Sequence, residues 1–485
     1  MSISSPTGLL INGEWVVGAS QMDVFDPATG ESLAKVGDAT MDEALAAVGA
    51  ADEAFKTWSQ TPPRVRAEVL RRAWEIMTAE LEDCARLISL ENGKAWRDAM
   101  AEATYAAEFF RWFSEETVRV PGDFRMAPNG DKTIIVDHRP IGPALLITPW
   151  NFPAAMATRK IGPALAAGCT VVLKPPAETP LTALWVADVV QRAGAPKGVV
   201  NVITTHRSGE IVSAMMADPR IATLSFTGST FVGKMLLHQA ADRALRASME
   251  LGGNAPFLVL EGADVDKAVA GAMIAKMRNG GAACTAANRF YVHASVADEF
   301  AKKFGAALGA LKVGPGIDQT NDLGAMVSGK EAKKILDLVE QAAAAGGEVI
   351  TTSTAPSNGA FVAPLIVRGI EHGSVLTREE VFGPVAPMVT FENQEDAIRM
   401  ANDSDYGLNT SVWSRRRGAE FARDVRSGTV TINDGFSASF ASHDAPMGGM
   451  KRSGVGRRHG RTGLLKYTDS QTVAQQRLWG KIGRA

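Results

Sequence analysis

The chain has 485 residues, 46% of them hydrophobic and 21% charged, with a formal net charge of -2. That length predicts two or three domains rather than one core, and the composition excludes a disordered chain. Near-neutral charge excludes a general attraction to nucleic acid or to anionic membranes. Three widely spaced cysteines (Cys84, Cys169, Cys284) argue against a disulfide scaffold and fit a reducing compartment. Met1 to Trp15 carries no basic stretch followed by an apolar core, and no apolar run approaches a membrane span, so a cytoplasmic location is expected.

Leu9-Leu10-Ile11, Asn12-Gly13 and Trp15-Val16-Val17 predict a hairpin, because Asn-Gly supplies the positive φ angles of a tight turn. Met41 to Glu116 reads as a helical layer, broken at Thr61-Pro62-Pro63 and Asn92-Gly93. Beyond Glu116 short apolar runs alternate with helices: Ala144 to Thr148, Thr170 to Leu173, Val199 to Ile203, Ala222 to Phe226 and Phe257 to Leu260, with helices at 153–167, 180–193, 208–217, 230–241 and 264–278. This alternation predicts a parallel, doubly wound sheet, whose ligands sit beyond the C-terminal strand ends. A second α/β series follows Arg289, with helices near 295–311, 330–345 and 416–426, and the boundary is expected near Leu251-Gly252-Gly253.

The loops after those strands hold the chemistry. In Thr148-Pro149-Trp150-Asn151-Phe152-Pro153, Asn151 is either a helix cap or an amide donor to an oxyanion. In Lys174-Pro175-Pro176-Ala177, Lys174 is either a surface lysine or a hold on an anionic or hydroxyl-rich ligand. Phe226-Thr227-Gly228-Ser229-Thr230-Phe231-Val232-Gly233-Lys234-Met235 leads from strand to helix and suits a nucleotide phosphate, but Met235 replaces the hydroxyl that an NTPase needs for magnesium. Glu250, before Leu251-Gly252-Gly253-Asn254, is either a salt-bridged glutamate or a general base. Cys284 follows Gly280-Gly281 among small residues, with Arg278 nearby. It is either an inert buried thiol or a nucleophile open to a carbonyl.

Together these loops resemble the aldehyde dehydrogenase superfamily over nearly the whole chain. Pro149-Trp150-Asn151-Phe152-Pro153, Lys174-Pro175, Phe226-Thr227-Gly228-Ser229, Glu250-Leu251-Gly252-Gly253-Asn254 and Cys284 stand in the family's order. Glu380-Val381-Phe382-Gly383-Pro384 and the glycine-rich run Gly448 to Gly456 complete the set. The resemblance implies an α/β fold of two doubly wound domains plus a small β bridging element. Residues 1–120 and 142–251 would bind the dinucleotide, 252–436 would carry the thiol, and 121–141 and 437–485 would bridge subunits of a homodimer or dimer of dimers.

It also implies that Cys284 attacks the aldehyde, that Asn151 and the Cys284 N–H hold the oxyanion, and that Glu250 activates water against the thioester. The cofactor would be held by Trp150, Lys174, Pro175, Pro176, Ala177, Arg207, Thr227, Gly228, Ser229, Gly233, Leu251, Glu380 and Phe382; no metal is expected. The closest likeness is to succinate-semialdehyde dehydrogenases. There Arg159 and Arg278 match arginines that bind the substrate carboxylate, whose forked geometry suits guanidinium, and Ser442 is assigned a third hydrogen bond.

Some positions depart from the family. Ala177 stands where NAD-preferring relatives carry a glutamate, with Glu178 one place on. Arg207 could pair with a 2′-phosphate, so NADP is the preferred cofactor and NAD the alternative. Ala286 replaces a second cysteine found in some semialdehyde relatives, Met447 a common phenylalanine, Arg458 a common glutamate and Gln471 a common lysine; the loop from Asn433 to Pro446 is longer than in typical relatives. The expected partner is a small carboxyl-bearing aldehyde, with succinate semialdehyde first. Glutarate semialdehyde or an uncharged aldehyde is second, and a catalytically silent nucleotide-binding relative is the non-enzyme alternative.

Overall fold

The structure is a computed structural model that describes residues 5–416, 418–437 and 442–476. The Asn12-Gly13 turn closes the first hairpin as the sequence predicts: Leu9–Ile11 pairs antiparallel with Glu14–Val16, and Asn12 has φ +51°. This hairpin joins an eight-stranded sheet whose five central strands are parallel, in the spatial order Val200–Val202, Val171–Lys174, Ala144–Ile147, Thr223–Thr227, Arg246–Glu250. The chain runs outward in one direction from Ala144–Ile147 and in the other from Thr223–Thr227. The topological switch, where open α/β sheets bind ligands, therefore lies between the loops that begin at Thr148 and Gly228.

Glu250 ends the first sheet, and after Leu251 to Asn254 the chain enters a second one at Ala255–Val259. Its seven strands run Glu348–Thr351, Leu365–Arg368, Val385–Phe391, Ala287–His293, Ala255–Val259, Asn409–Trp413, Thr429–Ile432, and all but the first pair are parallel. The central strands of both sheets are buried along nearly their whole length, as expected when helices cover both faces. A third, three-stranded antiparallel sheet joins Thr468–Gln476, Lys132–Pro140 and Asp123–Met126. The 437–485 segment does not all go to that sheet: Gly454–Val455 pairs antiparallel with Arg246–Glu250 and so closes the first sheet beside Glu250. Residues 438–441 and 477–485 of that segment lie outside the described residues. Among the described residues, no helix is long and apolar enough to cross a membrane.

Two local features aim the loops. The helix expected at 264–278 is regular only over Val265–Ala272. It then widens into a π-turn at Met273–Met277 and stops, with Arg278 extended and Asn279 left-handed at φ +58°. Such widened turns gather at functional sites because they redirect side chains. The Pro153–Ala167 helix is not capped by Asn151; its cap position is Phe152, which makes no side-chain cap bond. Glu102, from the Trp96–Glu116 helix, accepts the free N–H groups of Ala154 and Ala155 instead, at 2.9 and 3.2 Å.

Candidate active site

A cleft of about 690 Å³ opens at the switch point. It runs from Lys174 past Gly228 and Ser229 to Glu380, Phe382 and Cys284. Its far wall includes Lys330, Glu331 and Lys334, from the start of the Gly329–Ala344 helix in the second α/β unit. The Thr230–Ala241 helix begins at the cleft with Ser229 as its cap, Ser229 Oγ accepting from Val232 N–H at 3.3 Å. A helix N-terminus with free N–H groups and a buried lysine offers sites for phosphate and ribose, and burial pushes the Lys174 ammonium down to about 8. These groups fit an extended dinucleotide.

Most of the cofactor residues expected from sequence line this cleft: Trp150, Lys174, Thr227, Gly228, Ser229, Leu251, Glu380 and Phe382. Glu380 accepts the Gly253 N–H at 3.0 Å, and burial raises its carboxyl to about 7. Phe382 is held at φ +55° with its ring edge-on to Trp150, 5.3 Å between centroids. A non-glycine residue in that region is a strained arrangement kept by its surroundings.

Five of the expected residues stand elsewhere. Pro175, Pro176 and Ala177 are not on the cleft wall, whereas the Glu178 carboxylate, one residue on, is. Arg207 is turned away: its Nη2 donates to the Ala39 carbonyl at 2.9 Å, and its neighbours Ser208 and Gly209 line the cleft instead. The main-chain acceptor at Ala39, far away in sequence, outcompetes solvent for this half-buried guanidinium. Gly233 acts by its size: a Cβ there would come within 2.2 Å of Leu251 Cδ2, so the glycine lets the helix settle on the cleft-lining Leu251.

At the inner end stands Cys284, half-buried and facing the cleft, whereas Cys84 and Cys169 are fully buried. A Cβ at Gly253 would lie 2.1 Å from the Cys284 carbonyl oxygen, so only glycine lets the two loops approach this closely. Burial pushes the Cys284 thiol up to about 11, against the opposing fields of Arg159 and Arg458. Glu250, with no solvent exposure, places Oε1 3.7 Å from Cys284 Sγ. The Asn151 amide Nδ2 donates to the Ala282 carbonyl at 3.0 Å, two residues from the thiol. The Asn151 backbone carbonyl is fixed from below by Lys94 Nζ at 2.7 Å and Asn279 Nδ2 at 3.0 Å.

The two arginines expected to read a substrate carboxylate both reach this end. Arg278 lies over the rings of Phe152 and Phe436, at 5.6 and 5.9 Å to the centroids, with the charges of Asp98 and Cys284 within its field. Arg159, 3% exposed, is in ionic contact with Glu250 Oε2 and hydrogen-bonds the Tyr105 phenol. From sequence Arg159 is either a reader of the substrate carboxylate or a salt-bridge partner, and the structure places it in an ion pair with Glu250 at the thiol end of the cleft. Ser442 donates its hydroxyl to Asp444 and is not on the cleft wall.

Sequence reasoning missed Tyr105, Lys94, Glu102 and Asn279. Glu102 left a trace: it shares a helical face with Ala99, Ala103 and Ala106, where a carboxylate has no business unless it is paired. Arg458 was noticed only as a departure, yet its Nε lies 3.5 Å from Glu250 Oε2.

The sequence model described as the aldehyde dehydrogenase family matches residues 15–473. The succinate-semialdehyde dehydrogenase of Paenarthrobacter nicotinovorans is 48% identical over 445 residues, 91% of this chain and 98% of that protein. The succinate-semialdehyde dehydrogenase [NADP(+)] GabD of Escherichia coli (strain K12) is 41% identical over 465 residues, 95% of this chain and 96% of that protein. The crystal structure of succinate-semialdehyde dehydrogenase from Burkholderia pseudomallei superposes with a TM-score of 0.95 at 39% identity, covering 98% of this chain and 100% of that one.

Proposed function

Because the chain belongs to the aldehyde dehydrogenase family, we propose that it oxidises succinate semialdehyde to succinate, with NADP as the preferred cofactor and NAD as the alternative. One observation carries the reading: Cys284 Sγ and Glu250 Oε1 face each other at 3.7 Å beside a dinucleotide-sized cleft, with the buried Arg159 and the half-buried Arg278 guanidiniums near them.

In this reading the Cys284 thiolate attacks the aldehyde carbon, a C–S bond forms, and the carbonyl oxygen becomes an oxyanion. The Asn151 amide and the Cys284 N–H donate to that oxygen, and such donors act most strongly where charge develops. NADP, when bound along Lys174, Gly228, Ser229, Glu380 and Phe382, supplies the hydride acceptor that brings the carbon to the acyl level. Glu250 then takes a proton from water as the water oxygen bonds to the acyl carbon. The C–S bond breaks, Cys284 leaves as thiolate and the acid is released. Arg278 and Arg159 bind the far carboxylate.

The likeness to the NADP(+) enzyme of Escherichia coli supports NADP; the Glu178 carboxylate on the cleft supports NAD. The three-stranded sheet, with Phe124 and Met126 exposed on one edge strand, supports assembly into a homodimer or dimer of dimers. We assign 1–120 and 142–251 to cofactor binding and 252–436 to the thiol-bearing unit, and we expect the enzyme in the cytoplasm.

The experiment is to follow reduced-cofactor absorbance with NADP or NAD against succinate semialdehyde, glutarate semialdehyde and butanal. The reading expects the highest kcat/KM with succinate semialdehyde and NADP. Absence of aldehyde-dependent reduction would leave the non-enzyme alternative, and equal efficiency on butanal would remove the carboxylate assignment.

A further inference from the structure

The cation assigned to the substrate and the base assigned to water are in contact with each other. Arg159, from the Pro153–Ala167 helix, meets Glu250 Oε2, and both side chains are sealed from solvent. The same oxygen accepts from Thr227 Oγ1 at 3.3 Å and lies 3.5 Å from Arg458 Nε. The other oxygen faces Cys284.

Arg159 is not saturated by this arrangement: Nη2 is the atom that meets Glu250, while Nε is buried without a hydrogen-bond acceptor. A buried guanidinium with an unused donor is poised to accept a second planar anion. A carboxylate pressed against a guanidinium is a weaker base than a free one, because the cation stabilises the charged form that proton uptake would destroy. While Arg159 faces Glu250, it holds back the base that thioester hydrolysis needs.

We propose that Arg159 is an exchange residue: unliganded, it pairs with Glu250, and the far carboxylate of the substrate takes it over, freeing Glu250 to accept a proton from water. The proposal rests on the function argued above and adds a point about specificity. Recognition of the carboxylate is spent on the hydrolytic step as well as on binding. Arg458 makes the exchange workable: its Nε stands 3.5 Å from the same oxygen without a hydrogen bond, so it orients Glu250 toward Cys284 after Arg159 leaves while bearing on it less closely than Arg159 does. An aldehyde without a carboxylate still acylates Cys284, but its thioester meets a base that remains paired. Water still bonds to the acyl carbon and Cys284 still departs as thiolate; only the proton transfer to Glu250 is slowed.

The test separates acylation from hydrolysis by stopped-flow absorbance of the reduced cofactor, using succinate semialdehyde, butanal, and acetaldehyde with or without sodium acetate. Butanal matches the chain length of succinate semialdehyde with a methyl group in place of the carboxylate, and acetate supplies the carboxylate separately. The expected result with butanal is a burst near one equivalent per site followed by hydrolysis roughly tenfold slower than for the succinyl enzyme. Acetate should accelerate the slow phase of acetaldehyde turnover, saturably. Arg159→Met should abolish the acetate effect and bring the butanoyl and succinyl hydrolysis rates within about twofold of each other. Equal hydrolysis rates in the unaltered enzyme, or no response to acetate, would overturn the exchange. Failure to oxidise succinate semialdehyde would strike the proposed function instead, and the acetaldehyde and acetate pair would still test the exchange. Should Arg159→Met not fold, the acetate response of the unaltered enzyme decides.

Discussion

Lys94 and Glu102 form an ion pair sealed from solvent, with Nζ 2.5 Å from Oε2 and side chains 3% and 0% exposed. Each partner also holds the active-site loop: Lys94 donates to the Asn151 carbonyl, and Glu102 accepts the Ala154 and Ala155 N–H groups. Removing one member of such a pair leaves a buried charge without compensation. Lys94→Met is therefore expected to cost about 3–5 kcal/mol, read as a lower midpoint in urea unfolding. Turnover of the remaining folded protein should fall as well, because Asn151 loses its support. A variant with an unchanged midpoint would mean that the pair contributes nothing to the fold.

Asn151 itself can be tested without touching that platform. Its Nδ2 sits 3.0 Å from the Ala282 carbonyl, close to the thiol, and it does not cap the helix. Asn151→Ala should lower turnover roughly a hundredfold, the usual effect of losing one oxyanion donor, with cofactor binding intact. Fluorescence titration with NADP beside steady-state turnover checks both halves. Near-normal turnover would remove the oxyanion role.

The local signals in the sequence were enough for the sheets and for the loops that meet at the cleft. Asn12-Gly13 announced its hairpin, and strand–helix alternation located the loops of Asn151, Lys174, Ser229 and Glu250, because both depend on neighbours a few residues away. What escaped depends on distant partners. Arg207 was assigned to a phosphate from its loop position, but the Ala39 carbonyl, 168 residues away in sequence, claims it. The 264–278 stretch is apolar enough to read as one helix, and nothing in its periodicity signals the π-turn that frees Arg278 and Asn279. The Arg159–Glu250 contact joins a helix to a strand end 91 residues on, and no local pattern encodes it.

Oxidation offers a third test. Ala286 provides no resolving thiol near Cys284, and Cys84 and Cys169 are fully buried in other elements. Excess hydrogen peroxide should thus carry Cys284 past sulfenic acid, and dithiothreitol should not restore activity. Intact mass should show added oxygen on one cysteine. Recovery of activity through an intramolecular disulfide, seen as a loss of two mass units, would contradict this.

The last prediction concerns the thiol before substrate arrives. Burial raises Cys284 to about 11, with Glu380 adding to the shift and Arg159 and Arg458 opposing it. A thiol below its pKa gains thiolate tenfold per pH unit, and only the thiolate alkylates. Iodoacetamide inactivation of the cofactor-free enzyme should accordingly accelerate roughly tenfold per unit between pH 7 and 9, without a plateau. Arg458 is one of the two cations that favour the thiolate, so Arg458→Met should slow alkylation several-fold at each pH, by roughly half a unit or more of displacement. Arg458→Lys should recover part of the rate, because it returns the charge without the fork. Glu250→Gln removes the nearest anion, which disfavours a neighbouring thiolate, and should move the profile the opposite way. A plateau already reached at pH 7, or a profile unmoved by Arg458→Met, would show that the thiol is activated by something other than these buried charges.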